Sequence, residues 1–123
     1  GAIGVQVANA ARALGMKVIG FDPTITVQRA WELSSEVEQG SSVDEVLRQA
    51  DFVTFHVPLL ESTRHLINAE RLVGMKSGVV IINFARGGIV DDEAVLAALD
   101  AEKVYAYISD FPSPALIKHP RVV

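Results

Sequence analysis

The sequence predicts an α/β domain of the doubly wound, Rossmann-like kind: a parallel sheet with helices on both faces, in three α/β/α layers. Three observations carry this expectation. Segments whose apolar residues recur at helical spacing alternate with short apolar runs, the order expected when parallel strands are joined through helices. The run Val79 to Phe84 is nearly all apolar and β-branched, as a central strand covered on both faces should be. Glycines and proline then punctuate the pattern at the ends of these runs.

Taken in order, Ile3, Val7, Ala10, Ala11 and Leu14 form a helical stripe over 3–14, and Gly15 is its natural stop. Residues 17–21 read as a short strand that ends at Asp22-Pro23, because proline cannot continue a ladder. A weaker helix follows over 26–33 with Trp31 and Leu33, and 34–38 holds at most a very short strand. Ser42 with Glu45 three positions on is a capping-box pattern that starts a third helix. Residues 51–57, apolar after Asp51 except at Thr54 and His56, read as a buried strand stopped by Pro58. Asn68 to Val73 is a short helix broken at Gly74, and 79–84 is the central strand. Gly87-Gly88 breaks that run, and Asp91 caps a helix whose buried stripe is Ala94, Val95, Ala98 and Leu99. Residues 104–108 are the last strand, closed by Asp110. A doubly wound domain opens with a strand, whereas this sequence opens with a turn, so the expected fold lacks its first strand.

With 123 residues, half of them hydrophobic, one compact domain is expected and two are not. A net charge of −4 spread along the chain argues against nucleic acid or an acidic membrane surface as partner. The absence of cysteine excludes disulfides and thiolate chemistry, and fits a reducing cytoplasm. His56, His65 and His119 are too far apart to suggest a local metal site. No run approaches the ~20 apolar residues a membrane span needs, and no export signal is read at the front.

Gly1-Ala2-Ile3-Gly4 has the spacing of the last two glycines of a dinucleotide fingerprint. Gly1 would let backbone approach a pyrophosphate, Gly4 would let the helix approach the sheet, and the phosphates would face free N–H groups at the helix start. Asp22, 18 residues beyond Gly4 at a strand end, suits an acceptor for ribose hydroxyls and would repel a 2′-phosphate, favouring NAD over NADP. As an alternative, Asp22 is only a turn residue before Pro23.

The stretch Asn83-Phe84-Ala85-Arg86-Gly87-Gly88-Ile89-Val90-Asp91 sets an arginine at the C-terminal end of a central parallel strand, the edge where such folds bind ligands. A guanidinium there can take a carboxylate in a two-pronged contact while polarising a neighbouring carbonyl. Arg86 could instead serve a strand-end carbonyl, Asp110 a turn, and His56 the backbone at the core edge.

This stretch, with His56-Val57-Pro58-Leu59 after a strand, Thr63 to Asn68, and Asp110, resembles the cofactor domain of D-2-hydroxyacid dehydrogenases over essentially the whole chain. Within that family, Asn83 to Gly88 together with Asp110-Phe111-Pro112 and His119-Pro120 is most similar to the shorter bacterial phosphoglycerate dehydrogenases. The resemblance implies that Arg86 is the catalytic arginine holding the substrate carboxylate and carbonyl. It implies that Asp110 accepts from the nicotinamide carboxamide, with Phe84, Ala85 and Arg86 beside the ring. It further implies that Gly1, Ala2, Ile3, Gly4 and Asp22 hold the pyrophosphate and ribose, that His56, Val57 and Pro58 wall the adenine side, and that Thr63 contacts the cofactor.

One departure stands out. The family pairs a histidine with a glutamate expected about five residues after Asp110, and Ala115 is there; no acidic residue follows Asp110. His119 matches the loop before the family's catalytic histidine, which is expected past Val123. The resemblance therefore implies an NAD-binding piece of a cytoplasmic, homodimeric enzyme that oxidises 3-phospho-D-glycerate in serine biosynthesis. The substrate-binding domain is expected outside this chain, and the piece alone is expected to be inactive. Other hydroxyacids of the glycerate, glyoxylate or lactate type, or a non-catalytic dinucleotide sensor, are the alternatives.

Overall fold

In the computed structural model, which describes residues 2–123, the chain divides into two compact units, one up to Val46 and one from Leu47 onward. The first unit opens with α1 (Ala2–Ala13), which stops where Gly15 takes a left-handed φ of +90°. Its two strands, β1 (Ile19–Gly20) and β2 (Glu38–Gln39), pair in parallel around α2 (Val27–Glu32). Thr26 caps α2 by accepting from Arg29 N–H at 3.2 Å. Asn9 joins α1 to the end of α2, donating to Glu32 O at 2.9 Å and accepting from Ser34 N–H at 2.7 Å.

The strand expected over 17–21 shortens to two residues, because its one ladder partner among the described residues, β2, offers no more. The α1 stripe behaves differently from its periodicity. Ile3, Val7 and Leu14 are exposed, and Val5 is the residue of this helix that is buried. Periodicity locates an apolar face and leaves open what covers it.

Ser42 starts α3 (Val43–Gln49) as expected, its Oγ accepting from Glu45 N–H at 3.1 Å. The returning contact of the box is displaced by one residue: Glu45 Oε2 accepts from Ser41 N–H at 3.0 Å and from the Ser41 hydroxyl.

The second unit is built on a three-stranded parallel sheet in the order β3 (Phe52–Thr54), β4 (Val79–Asn83), β5 (Val104–Ser109). β4 is central, and Val79, Ile81 and Asn83 along it are buried. Residues 121–123 run beside the free edge of β5, with Ser109 N–H donating to Val123 O and Val123 N–H to Tyr107 O. α4 (Ala69–Gly74) is capped by Asn68, and α5 (Asp92–Asp100) by Asp91. Val95, Ala98 and Leu99 of α5 close the core with Val104, and Ala94 is half-buried.

Two expectations need correcting here. β3 is not buried throughout: Val53 and Phe55 are, while Phe52 and Thr54 are exposed, since β3 is an edge of this three-stranded ladder. A short helix α6 (Pro114–Ile117), unforeseen in the sequence, follows Ser113, whose Oγ accepts from Leu116 N–H, with Pro114 in the first helical position. Four residues are too few to show a helical period. No helix among the described residues is long and apolar enough to cross a membrane.

Candidate functional site

In the second unit three parallel strands end side by side, with Thr54 in register with Ile82 and Asn83 with Ser109. The segments that leave those ends carry His56 to Pro58, Phe84 to Gly88, and Asp110. Three of the predicted groups are therefore brought to one sheet edge by topology.

Arg86 is exposed on the turn after β4, in an extended conformation, and its Nη1 donates to Ala85 O at 2.7 Å. The turn is fixed from beneath by Asn83, whose side chain accepts from Ala85 N–H at 3.0 Å and donates to Arg86 O at 2.8 Å. A 3-10 turn, Gly87–Ile89, follows. A methyl group on Gly87 would come within 3.3 Å of Phe111 Cβ, and one on Gly88 within 3.1 Å of both Leu59 methyls. These two glycines let the arginine turn lie directly on the segments after β5 and β3. His65 N–H closes the contact by donating to Gly88 O at 2.8 Å, from a left-handed φ of 47°.

Asp110 is exposed at the end of β5, and its N–H reaches Asn83 O at 3.4 Å. Phe84 is exposed, and Ala85 half-buried. His56 and Val57 are half-buried, Pro58 exposed; His56 Nε2 lies 3.0 Å from Thr54 Oγ1. Burial holds the imidazole below the usual histidine range, so its neutral form is favoured at pH 7. Thr63 turns its hydroxyl inward, donating to Pro58 O at 2.6 Å and accepting from Leu60 N–H at 2.7 Å. Its polar atoms close the 58–63 loop, so what it contributes to this edge is the shape of that loop.

In the first unit, Ala2, Ile3 and Gly4 form the first turn of α1, which carries no acidic residue; Gly1 lies outside the described residues. Asp22 follows the end of β1, and its Oδ1 accepts from Thr24 N–H at 3.0 Å and Thr24 Oγ1 at 3.1 Å. Partial burial works to raise its pKa, but the hydrogen bonds it accepts, those of Thr24 among them, outweigh that and leave it below the ordinary carboxylate range.

Taken unit by unit, the donors suit parts of a dinucleotide. In the first, a twelve-residue helix with an acid-free first turn suits a phosphate, and an ionised carboxylate after a parallel strand suits ribose hydroxyls. In the second, Asp110 offers a carboxylate acceptor at a strand end, its N–H meeting the main-chain oxygen of Asn83, which is next in sequence to the exposed Phe84. His119 is committed to structure. Its Nδ1 accepts from Arg121 N–H at 3.2 Å and its Nε2 faces Asp100 Oδ1 at 3.2 Å, with the side chain 11% exposed. Ala115 sits exposed on α6. Among the described residues, no group of three or more His, Cys, Asp or Glu is placed to hold a metal ion.

The sequence motifs contain Asn83, Leu59 and Phe111, but sequence reasoning gave none of the three a role at this edge. A polar residue ending an otherwise apolar β-branched run was the available signal for Asn83.

Comparison with known proteins agrees with this geometry. Residues 1–123 match the family described as D-isomer specific 2-hydroxyacid dehydrogenase, NAD binding domain. The D-3-phosphoglycerate dehydrogenase of Methanocaldococcus jannaschii is 42% identical over 110 residues, 89% of this chain and 21% of that protein. The hydroxypyruvate reductase of Thermotoga maritima is 45% identical over 106 residues, 86% of this chain and 33% of that protein. The chain thus spans about a fifth to a third of these relatives' length. The structure of the D-lactate dehydrogenase of Lactobacillus jensenii with NAD+ superposes with a TM-score of 0.85 at 29% identity, covering 100% of this chain and 42% of that one. Parallel strands with flanking helices, in a Rossmann-like α/β fold, are common to both.

Proposed function

Since the chain belongs to the D-isomer specific 2-hydroxyacid dehydrogenases, as an NAD-binding domain of that family, we propose that the full-length protein oxidises 3-phospho-D-glycerate to 3-phosphohydroxypyruvate. The observation that carries this reading is the exposed Arg86 at the C-terminal end of the central strand, with Asp110 on the adjacent strand end. Similarity to the phosphoglycerate dehydrogenase of M. jannaschii supports the choice of substrate.

NAD, when bound, supplies the hydride acceptor. Arg86 takes the substrate carboxylate with its fork of N–H donors and stabilises charge developing on the C2 oxygen. Asp110 would accept from the nicotinamide carboxamide and so help to orient the ring. Phe84 and Ala85 exclude water beside it. Asp22 would accept from the ribose hydroxyls and disfavour a 2′-phosphate, the fingerprint residue Gly1 and the α1 residues Ala2, Ile3 and Gly4 would hold the pyrophosphate, and His56, Val57, Pro58 and the loop closed by Thr63 would shape the adenine side. The hydroxyl proton is assigned to a group outside this chain, because His119 is held by Arg121 and Asp100, and Ala115 has no carboxylate to tune an imidazole. The same reading proposes a substrate-binding domain outside this chain, in a cytoplasmic homodimer serving serine biosynthesis.

Hydroxypyruvate as the physiological substrate is the second reading, favoured by the 45% identity to the T. maritima reductase. The test is NAD reduction by the full-length protein, across pH, with 3-phospho-D-glycerate, D-glycerate and D-lactate. A kcat/KM preference of ~100-fold for the phosphorylated acid, about 2.7 kcal/mol, is expected. Preference for D-glycerate establishes the second reading. NAD binding without turnover of any of the three overturns both and leaves a different hydroxyacid substrate or a dinucleotide sensor.

A further inference from the structure

Asn83 is the one carboxamide in the second unit's core, 0% exposed at the end of a strand whose other inward residues are Val79 and Ile81. Burying an amide costs roughly 1–3 kcal/mol unless both of its ends are satisfied. Here they are satisfied by the arginine turn: Oδ1 takes the Ala85 N–H at 3.0 Å and Nδ2 gives to the Arg86 carbonyl at 2.8 Å. The orientation of the amide is unambiguous, since a main-chain N–H only donates and a carbonyl only accepts. The next link is the Arg86 side chain itself, whose Nη1 donates to Ala85 O at 2.7 Å. The Ala85 residue is therefore held at its N–H by Asn83 and at its carbonyl by Arg86. Through its own main-chain oxygen, Asn83 also receives the Asp110 N–H.

We propose that Asn83 is a positioning residue for the reaction: its buried carboxamide fixes the turn from which Arg86 projects, at the strand end whose main-chain oxygen receives the Asp110 N–H. This rests on the assignment of Arg86 to the substrate carboxylate. The geometry needs one donor and one acceptor on a short planar fork. A carboxylate of the same shape keeps the acceptor but faces the Arg86 carbonyl with negative charge, and an aliphatic residue leaves both main-chain groups unpaired.

The test uses full-length protein carrying Asn83→Asp, Asn83→Ser, Arg86→Gln, and each Asn83 change combined with Arg86→Gln. Near pH 7, Asn83→Asp is expected to lower kcat/KM about 10- to 100-fold, a loss typical of a displaced catalytic group. The dissociation constant for NAD is expected to stay within about threefold. Relative to the wild type, activity of Asn83→Asp rises as pH falls, because the protonated carboxyl regains a donor. The titratable groups facing this point are the Tyr107 phenol, whose pKa burial pushes up, Asp92 on α5, Arg86 and Asp110; the same measurement on wild type normalises them. In the Arg86→Gln background the Asn83 changes are expected to have no further effect, since they act through the missing side chain.

Equal losses in both backgrounds, or a flat pH ratio, overturn the inference. Asn83→Ser covers the case in which an introduced charge prevents folding: a folded protein within twofold of wild type overturns it too. Loss of fold in both variants also counts against it, since the amide then serves the sheet and not the arginine. Arg86→Gln with full activity is a different failure, that of the substrate assignment itself.

Discussion

The two units of the chain hold the residues proposed to meet ligands by different means. In the first, Val5 and Gly40 are the buried residues among those described, and each strand is two residues long. In the second, Ile67, Ile81, Ile89, Val95, Leu99, Val104 and Tyr107 are wholly enclosed, and the turn bearing Arg86 is bolted to that core through Asn83. Asp22, by contrast, stands on a turn fixed by local hydrogen bonds from Thr24. The contrast teaches that position matters differently at the two places. A group that must meet a reacting carbon within tenths of an ångström is built on packed sheet, whereas a group that recognises two hydroxyls can sit on a turn.

The largest effects should separate the units by stability. Leu99→Ala removes a fully buried side chain and is expected to cost 2–5 kcal/mol in urea unfolding. Trp31→Ala, at a site 85% exposed in the first unit, should stay within about 0.5 kcal/mol. A loss of several kcal/mol at Trp31 would break the comparison, by revealing a covered face on α2.

Asp22→Ala sharpens it from the functional side. Losing a charged hydrogen-bond acceptor for the ribose is expected to weaken NAD binding to the full-length protein about 10- to 100-fold. NADP, whose phosphate the carboxylate repels, should lose far less, and the unfolding midpoint should hardly move. Calorimetric titration with both dinucleotides checks this; equal losses for the two would mark Asp22 as a turn residue only.

A smaller, directional effect comes from two titrating groups of the second unit. Burial lowers the His56 pKa below 6.5, so its folded-state contribution is complete above that value and fades as pH falls through the depressed pKa. Burial raises the Asp92 carboxyl above 3.8, against the hydrogen bond it accepts from Ser113, so the sign reverses: stability is fullest below 3.8 and declines as pH rises through the raised value. His56→Gln should flatten the first slope and Asp92→Asn the second. An imidazole proton shift titrating with a midpoint at or above 6.5 would contradict the assignment for His56.

How much of this was legible in the sequence follows the same divide. Strand β4, the cap at Asp91 and the stripe Val95, Ala98 and Leu99 were readable because burial on a sheet imposes composition. The α1 stripe misled, since Ile3, Val7 and Leu14 have the period of a covered face and are exposed in this chain. Arg86, Asp110 and His56 could be placed at one edge because parallel strands deliver their ends together. What was not legible were contacts that leave no period: the Asn83 amide beneath the turn, Gly88 against Leu59, and the hydroxyl of Thr63 spent on its own loop.

The smallest expected effect compares one feature that both units share. α1 and α5 finish with the same pair of hydrogen bonds: Met16 N–H to Ala11 O and Gly15 N–H to Arg12 O in one, Lys103 N–H to Ala98 O and Glu102 N–H to Leu99 O in the other. Both stops need a left-handed residue, and Gly15 supplies it at φ +90° while Glu102 carries a side chain at φ 61°. Space is not the issue at Gly15, where an added Cβ meets nothing within 4 Å, so Gly15→Ala isolates the backbone term and should cost about 1 kcal/mol. Glu102→Gly relieves the same kind of strain, offset in part because glycine loosens the unfolded chain, and is expected to gain about 0.5 kcal/mol. Paired urea midpoints decide it. If Glu102→Gly destabilises instead, the better-packed unit is using that side chain for something its helix stop does not require.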